Sequence, residues 1–265
     1  MVVKRRRRSK IQARPVPPAW QAIVERNVPI FRRLTAADQA ELLGHIQVFL
    51  AEKHFEGCGG LELTDEIRVT IAAQACLLLL HRETDYYPRL RSILVYPTGY
   101  TVHEERQVGD GIWNDAPEDR LGHTEQGLGA LVLAWDSVKH GAREPTDGEN
   151  LVFHEFAHQL DFEDNATNGT PALSGREEYL VWGRVMSEEF EALRSAEEEG
   201  RLTLIDQYGA GNPAEFFAVI TEAFFERPHA LRRRHPELFD RLAAFYRQDP
   251  TTFVPADPPE THAGG

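Results

Sequence analysis

Two histidines four residues apart, with a glutamate directly after the first, stand in Leu151-Val152-Phe153-His154-Glu155-Phe156-Ala157-His158-Gln159-Leu160-Asp161. On a helix, side chains at i and i+4 project from one face, so His154 and His158 can converge on one cation. Glu155 lies beside that face, where its carboxylate can take a proton from a water held at the cation without itself being a ligand. Zinc lowers the pKa of such a water and polarises a scissile carbonyl, so this H-E-x-x-H pattern points to hydrolysis of peptide bonds. Histidine and glutamate also decorate solvated helix faces. Here Leu151, Val152, Phe153, Phe156, Ala157 and Leu160 leave little of the helix for solvent, and three buried polar groups need partners that a single metal supplies.

A catalytic zinc takes a third protein ligand and keeps one position open. The segment Asn212–Phe225 reads as a second apolar helix with Pro213 in its first turn, interrupted by Glu215 and Glu222. Seven residues apart, the two carboxylates share nearly one face, and periodicity does not choose between them as ligand. In the bland alternative, Glu215 is a helix-start carboxylate favoured by the dipole and Glu222 a rim residue. Asp161, three residues after His158, could orient a ligand imidazole from behind or serve as a surface or cap residue.

The elements that must carry these residues are legible in outline. From Trp20 to about Glu52, apolar residues at helical spacing (Ile23, Val28, Phe31, Leu34, Leu42, Ile46, Leu50) predict two or three short helices. Gly57-Cys58-Gly59-Gly60 breaks that pattern, and Thr64-Asp65-Glu66 then caps a strongly apolar helix running through Leu80. Strands are expected at Ser92–Tyr96, Thr101–Val108 and Ala130–Trp135, which makes a small mixed sheet. Helices are expected at about 149–162, 175–198, 213–226 and 236–246, with a polar loop over Asp164–Gly175.

Composition bounds the rest. The chain has 265 residues, 42% hydrophobic and 27% charged, which is ordinary globular usage. Its net charge of −13 hides an asymmetry: Lys4, Arg5, Arg6, Arg7, Arg8 and Lys10 put six positive charges in the first ten residues and leave −19 for the remainder. An acidic body argues against direct nucleic-acid binding. Residues 1–19 are expected to be a disordered basic tail and the Pro-rich residues 251–265 a second disordered tail, around a single domain spanning 20–250. No apolar stretch reaches the roughly 20 residues of a membrane helix, and the amino-terminal residues lack a secretory pattern, so a cytoplasmic protein with no membrane partner is expected. Cys58 and Cys76 are read as packed thiols.

The combination of His154-Glu155-Phe156-Ala157-His158-Gln159-Leu160-Asp161, Leu131-Val132-Leu133-Ala134-Trp135, Tyr208-Gly209 and Pro213-Ala214-Glu215-Phe216-Phe217-Ala218 resembles the Mlc titration factor A family of bacterial zinc-dependent peptidases. His45 to Phe49, Phe55 to Gly60 and Ile71 to Cys76 resemble it too, so the likeness covers about 20 to 250. It implies an α+β, zincin-like metallopeptidase fold, mostly helical with a small mixed sheet, similar to the catalytic domain of anthrax lethal factor. It further implies one gluzincin-type Zn2+ per chain, with Glu215 as the third ligand, Tyr208 near the metal and Glu222 behind the ligands or in the fold. Aminopeptidase-like activity and binding to a glucose-responsive transcriptional repressor are also implied by the resemblance. One departure stands out: four residues after Glu215 is Val219, where an acidic partner for a ligand would be expected, so that partner must come from elsewhere.

The reading that follows is hydrolysis of a peptide or protein substrate, the substrate strand lying antiparallel to an exposed edge near Ala130–Trp135. A regulatory binding protein that sequesters a transcription factor around a non-catalytic metal site is the alternative from another class. A metal-dependent hydrolase of non-peptide substrates is the third.

Overall fold

The computed structural model describes residues 2–102, 106–107, 113–114, 118–120, 122–125 and 129–256. In chain order the helices are α1 (Val2–Gln12), α2 (Pro18–Asn27), α3 (Ala36–Glu52), α4 (Asp65–Leu77), α5 (Trp135–Arg143), α6 (Leu151–Asp161), α7 (Arg176–Glu198), α8 (Pro213–Glu226), α9 (Pro228–Arg234) and α10 (Pro236–Tyr246). The strands are β1 (His54–Gly57), β2 (Ser92–Tyr96), β3 (Tyr100–Val102), β4 (Arg106–Gln107), β5 (Trp113–Asn114), β6 (Glu118–Arg120), β7 (Gly122–Glu125) and β8 (Ala130–Ala134). The chain is thus α+β, mostly helical, with a small mixed sheet.

That sheet has the order β1-β2-β8-β7, with β1, β2 and β8 parallel and β7 antiparallel to β8. The run Ala130–Ala134 is buried at every residue, as expected of an interior strand covered on both faces. It pairs with Ser92–Tyr96 on one side and Gly122–Glu125 on the other. The expected exposed edge at Ala130–Trp135 is therefore corrected: among the described residues the edge strand on this side is β7, and Trp135 already starts α5. The single strand expected over Thr101–Val108 is replaced by two short ones, β3 pairing with β6 and β4 with β5 in separate antiparallel ribbons; residues 103–105 and 108 lie outside the described residues.

The amino-terminal region also corrects the reading of a disordered tail. Residues Val2–Gln12 form a helix that packs on α3. Arg8 is buried, its guanidinium reaching Glu52 at 2.8 and 3.0 Å and Asp85 Oδ1 at 2.6 Å, and lying 4.5 Å over the Tyr86 ring. Lys4 pairs with Asp85 and Arg5 with Glu83. Their counter-ions lie far along the chain, so a local reading of like charges sees only repulsion. Of the second expected tail, Pro250–Thr252 is a 3-10 turn and Val254 is buried; residues 257–265 lie outside the described residues.

Removing one partner of a buried ion pair strands the other charge. Arg8→Ala is accordingly expected to destabilise the protein by about 2 kcal/mol or more, measured by urea unfolding. An unchanged midpoint would mean that α1 adds nothing to the fold.

Candidate metal centre

Helix α6 starts where Asn150 caps it, the side-chain oxygen accepting from Phe153 N at 3.0 Å. Its apolar face is locked in the core: Phe153 lies 5.3 Å from Phe225 by ring centroid, and Phe156 lies 4.7 Å from Tyr87 and 5.7 Å from Phe49. That anchoring turns His154 and His158 toward α8. Helix α8 starts at Asn212, whose side chain accepts from Ala214 N and Glu215 N, both at 3.0 Å, with Pro213 as its first residue.

Three ligand-type atoms meet between the two helices. Glu215 Oε2 lies 3.1 Å from His154 Nε2 and 3.3 Å from His158 Nε2, and the two nitrogens are 3.3 Å apart. The imidazoles are mostly buried but not sealed, at 15% and 11% side-chain exposure. Glu222 lies on the other side of His154, its Oε1 2.7 Å from Nδ1, while its Oε2 accepts from Asn150 N at 2.6 Å. The two glutamates that periodicity could not separate thus address different nitrogens of one ring.

This geometry fixes a protonation problem. With the Nδ1 hydrogen of His154 donated to Glu222, Nε2 faces the carboxylate of Glu215 at a distance where two lone pairs repel. Either a proton or a cation must sit there. Burial alone would lower the pKa of His154, but hydrogen bonds to Glu215 and Glu222 and the charges of Glu222 and Glu155 outweigh it and push it up to about 10. Burial likewise would raise Glu215, yet its bonds to His154 and His158 hold it well below the usual carboxylate range. Two imidazole nitrogens and one carboxylate oxygen are a donor set that suits zinc, so the residues fit the ion.

The folded pKa of His154 is raised, so metal-free protein holds this proton at neutral pH; the stabilisation it brings is full below about 6.5, falls as pH rises above that, and is gone once pH passes about 10. A cation must displace it. Zinc uptake at pH 7.5 is expected to release about one proton from this site, measured calorimetrically in buffers of different ionisation enthalpy. Apparent affinity should rise with pH toward 10. Uptake without proton release would show that His154 is not a ligand.

Glu155 is buried, and its charge acts on His154. Tyr208 is 63% exposed, its ring centroid 5.9 Å from that of His154. It stands on a 3-10 turn, Gln207–Gly211, started by Asp206, which accepts from Tyr208 N at 2.8 Å. The turn rests on α8 at Val219: a Cβ on Gly209 would lie 2.4 Å from Val219 Cγ2. The position where an acid was expected therefore packs against the Tyr208–Gly209 turn, and Glu222 occupies the place behind His154.

Asp161 is buried and accepts from Gly169 N at 2.9 Å through Oδ2, which ties it to the loop before α7. No hydrogen bond joins it to His158 among the described residues: Asp161 Oδ1 and His158 Nδ1 are both buried without a partner. Gly169 itself was not singled out from sequence. With φ +72°, it lies so close to α8 that a Cβ would stand 2.2 Å from Pro213 O. Asn150 and Glu226 were also missed; the signal was a capping residue type just before the helix and a third carboxylate in the apolar run of α8. A second group, Asp38, Glu41 and His81, has the residue types of a metal site. There the imidazole places one nitrogen on each carboxylate, at 3.2 and 3.3 Å, an arrangement that ion pairing alone satisfies.

Comparison with known proteins bears on the same residues. The model of the glucose-regulated metallo-peptidase M90 family matches residues 2–247, so it takes in α1 as well as both site helices. An uncharacterised protein of Synechocystis is 41% identical over 244 residues, covering 92% of this chain and 89% of that protein. Mlc titration factor A of Escherichia coli is 31% identical over 237 residues, 87% of this chain and 86% of the relative. The protein of the same name from Yersinia pestis is 30% identical over 229 residues, 84% and 83% respectively.

Proposed function

Since the chain belongs to the glucose-regulated metallo-peptidase M90 family, we propose that it is a zinc-dependent peptidase with one zinc per chain held by His154, His158 and Glu215. The observation that carries this reading is the convergence of His154 Nε2, His158 Nε2 and Glu215 Oε2 within hydrogen-bond distance of one another. When bound, zinc lowers the pKa of water and polarises a carbonyl.

The chain's own residues do the rest. Glu155 takes a proton from the attacking water as its oxygen adds to the peptide carbonyl carbon, and gives that proton to the leaving amine as the C–N bond breaks. Tyr208, exposed beside His154, donates a hydrogen bond to the carbonyl oxygen as it gains charge. Glu222 holds the Nδ1 hydrogen of His154, which fixes the ring and leaves Nε2 for the metal. A peptide in extended form would add to the edge strand β7, with backbone hydrogen bonds giving affinity without much sequence choice. Aminopeptidase-like cleavage follows from the resemblance of the site residues to that family.

A second reading stands beside this one, because two of the relatives carry the name Mlc titration factor A. Binding of a transcriptional repressor is proposed as an additional activity, and a cytoplasmic location goes with it. Among the described residues no helix is long and apolar enough to cross a membrane.

The test is elemental analysis of protein purified without added metal, paired with peptide hydrolysis before and after chelation. About one zinc per chain, with activity lost on chelation and regained with zinc, is the expected result. Protein that neither carries nor takes up zinc would end the catalytic reading and leave repressor binding as the function to pursue.

A further inference from the structure

Three carboxylates stand on one stripe of α8, at Glu215, Glu222 and Glu226, spaced by seven and four residues. Each meets a successive level of the antiparallel helix α6. Glu215 faces Nε2 of both histidines, Glu222 bridges His154 Nδ1 and Asn150 N, and Glu226 lies beyond the helix start. There Glu226 Oε1 accepts from Asn150 Nδ2 and Oε2 from Gly148 N, both at 3.0 Å. The Asn150 amide also donates toward Gln74 Oε1 at 3.0 Å and Gly141 O at 3.1 Å. The middle of this network is buried: Asn150 is 2% and Glu226 1% exposed.

We infer that Glu226 is a positioning residue for the metal centre, acting through Asn150 and Glu222 on the His154 imidazole. The inference rests on the zinc-site reading above. Asn150 has two tasks at once: its oxygen caps α6, and its backbone N–H fixes the outer oxygen of Glu222. Helix capping alone would need only the oxygen. Glu226 grips the other end of the same side chain and the backbone two residues before it, so the segment entering α6 cannot shift without moving the acceptor behind His154. In a buried network a loosened member is felt by its neighbours, because no water replaces the lost bond.

The test compares Glu226→Ala, Glu226→Leu and Glu226→Gln, with Glu215→Ala as a control, measuring zinc affinity by competition with a chromophoric chelator and the visible absorption of the cobalt(II)-loaded protein. Leu fills the space without the oxygens, so it reads the effect even where Ala fails to fold. Burial and the neighbouring Asp147 carboxylate hold Glu226 well above the usual carboxylate range, and Gln keeps its volume and one acceptor oxygen while setting an NH2 against the second of the two donors. The expected result is zinc binding weakened about tenfold or more in Ala or Leu, with a changed cobalt spectrum, and a smaller loss in Gln, which keeps one of the two acceptors. Variants that lose only thermal stability, with wild-type zinc affinity and cobalt spectrum, overturn the inference and leave Glu226 structural. Wild-type protein that binds no zinc, or Glu215→Ala that binds it unchanged, overturns the zinc-site reading itself, which separates the two failures.

Discussion

Glu155→Gln is expected to give a folded protein that still binds one zinc but hydrolyses peptide about 10²- to 10⁴-fold more slowly. The substitution keeps size and shape while removing the only function assigned to this side chain, acceptance of a proton from water. Glu155 directly follows His154 and so lies beside the stripe shared by His154 and His158, not on it. It is buried and affects His154 through charge, so its loss should change zinc affinity by no more than about threefold. Steady-state peptide hydrolysis beside elemental analysis separates the two properties. Near-wild-type turnover in zinc-loaded Glu155→Gln would remove the general base from the mechanism. Repressor binding, if it is a separate activity, should survive the substitution unchanged.

Gly169→Ala is expected to cost about 3 kcal/mol and to weaken zinc binding as well. At φ +72°, alanine pays the left-handed penalty of about 1–2 kcal/mol. The added carbon would also stand 2.2 Å from Pro213 O and 2.7 Å from Pro213 C, a backbone contact that no rotamer change relieves. Either the loop lifts away or the first turn of α8 moves. The first outcome breaks the Gly169 bond to Asp161 and the bond from Trp182 Nε1 to Gly169 O. The second displaces Glu215, two residues beyond Pro213. Thermal unfolding of the metal-free protein and chelator competition read the two effects. A variant with wild-type stability and affinity would show that the loop before α7 and the first turn of α8 accommodate the added carbon.

How much of this could be read from sequence depends on where the partner of each residue lies. Helices α6 and α8 were legible because their apolar periodicity and capping residues are local, and the spacing of His154 and His158 is a property of the helix alone. The choice between Glu215 and Glu222 was not, since both face α6 and are told apart by what they meet there: Nε2 of both histidines for Glu215, His154 Nδ1 and Asn150 N for Glu222. That is a matter of how far α8 slides along α6, and no intrahelical spacing encodes it. The helix α1 was hidden for a similar reason: its docking depends on Glu52, Glu83 and Asp85, remote in sequence, while its own composition suggests repulsion. The interior position of β8 was hinted at by its unbroken apolar run. The strand that covers it, β7, is polar and short, and carried no signal of its own.

The aromatic anchoring of α6 has a practical consequence for handling the protein. Phe153, Phe156 and Leu160 join the helix to the main core, and a proton on His154 Nε2 can stand where a cation would, facing Glu215. The fold is therefore expected to form without metal, unlike small zinc domains that unfold without it. Dialysis against a chelator should yield an inactive but native protein, storable in that form and reactivated by stoichiometric zinc, with a circular dichroism spectrum that stays the same throughout the cycle.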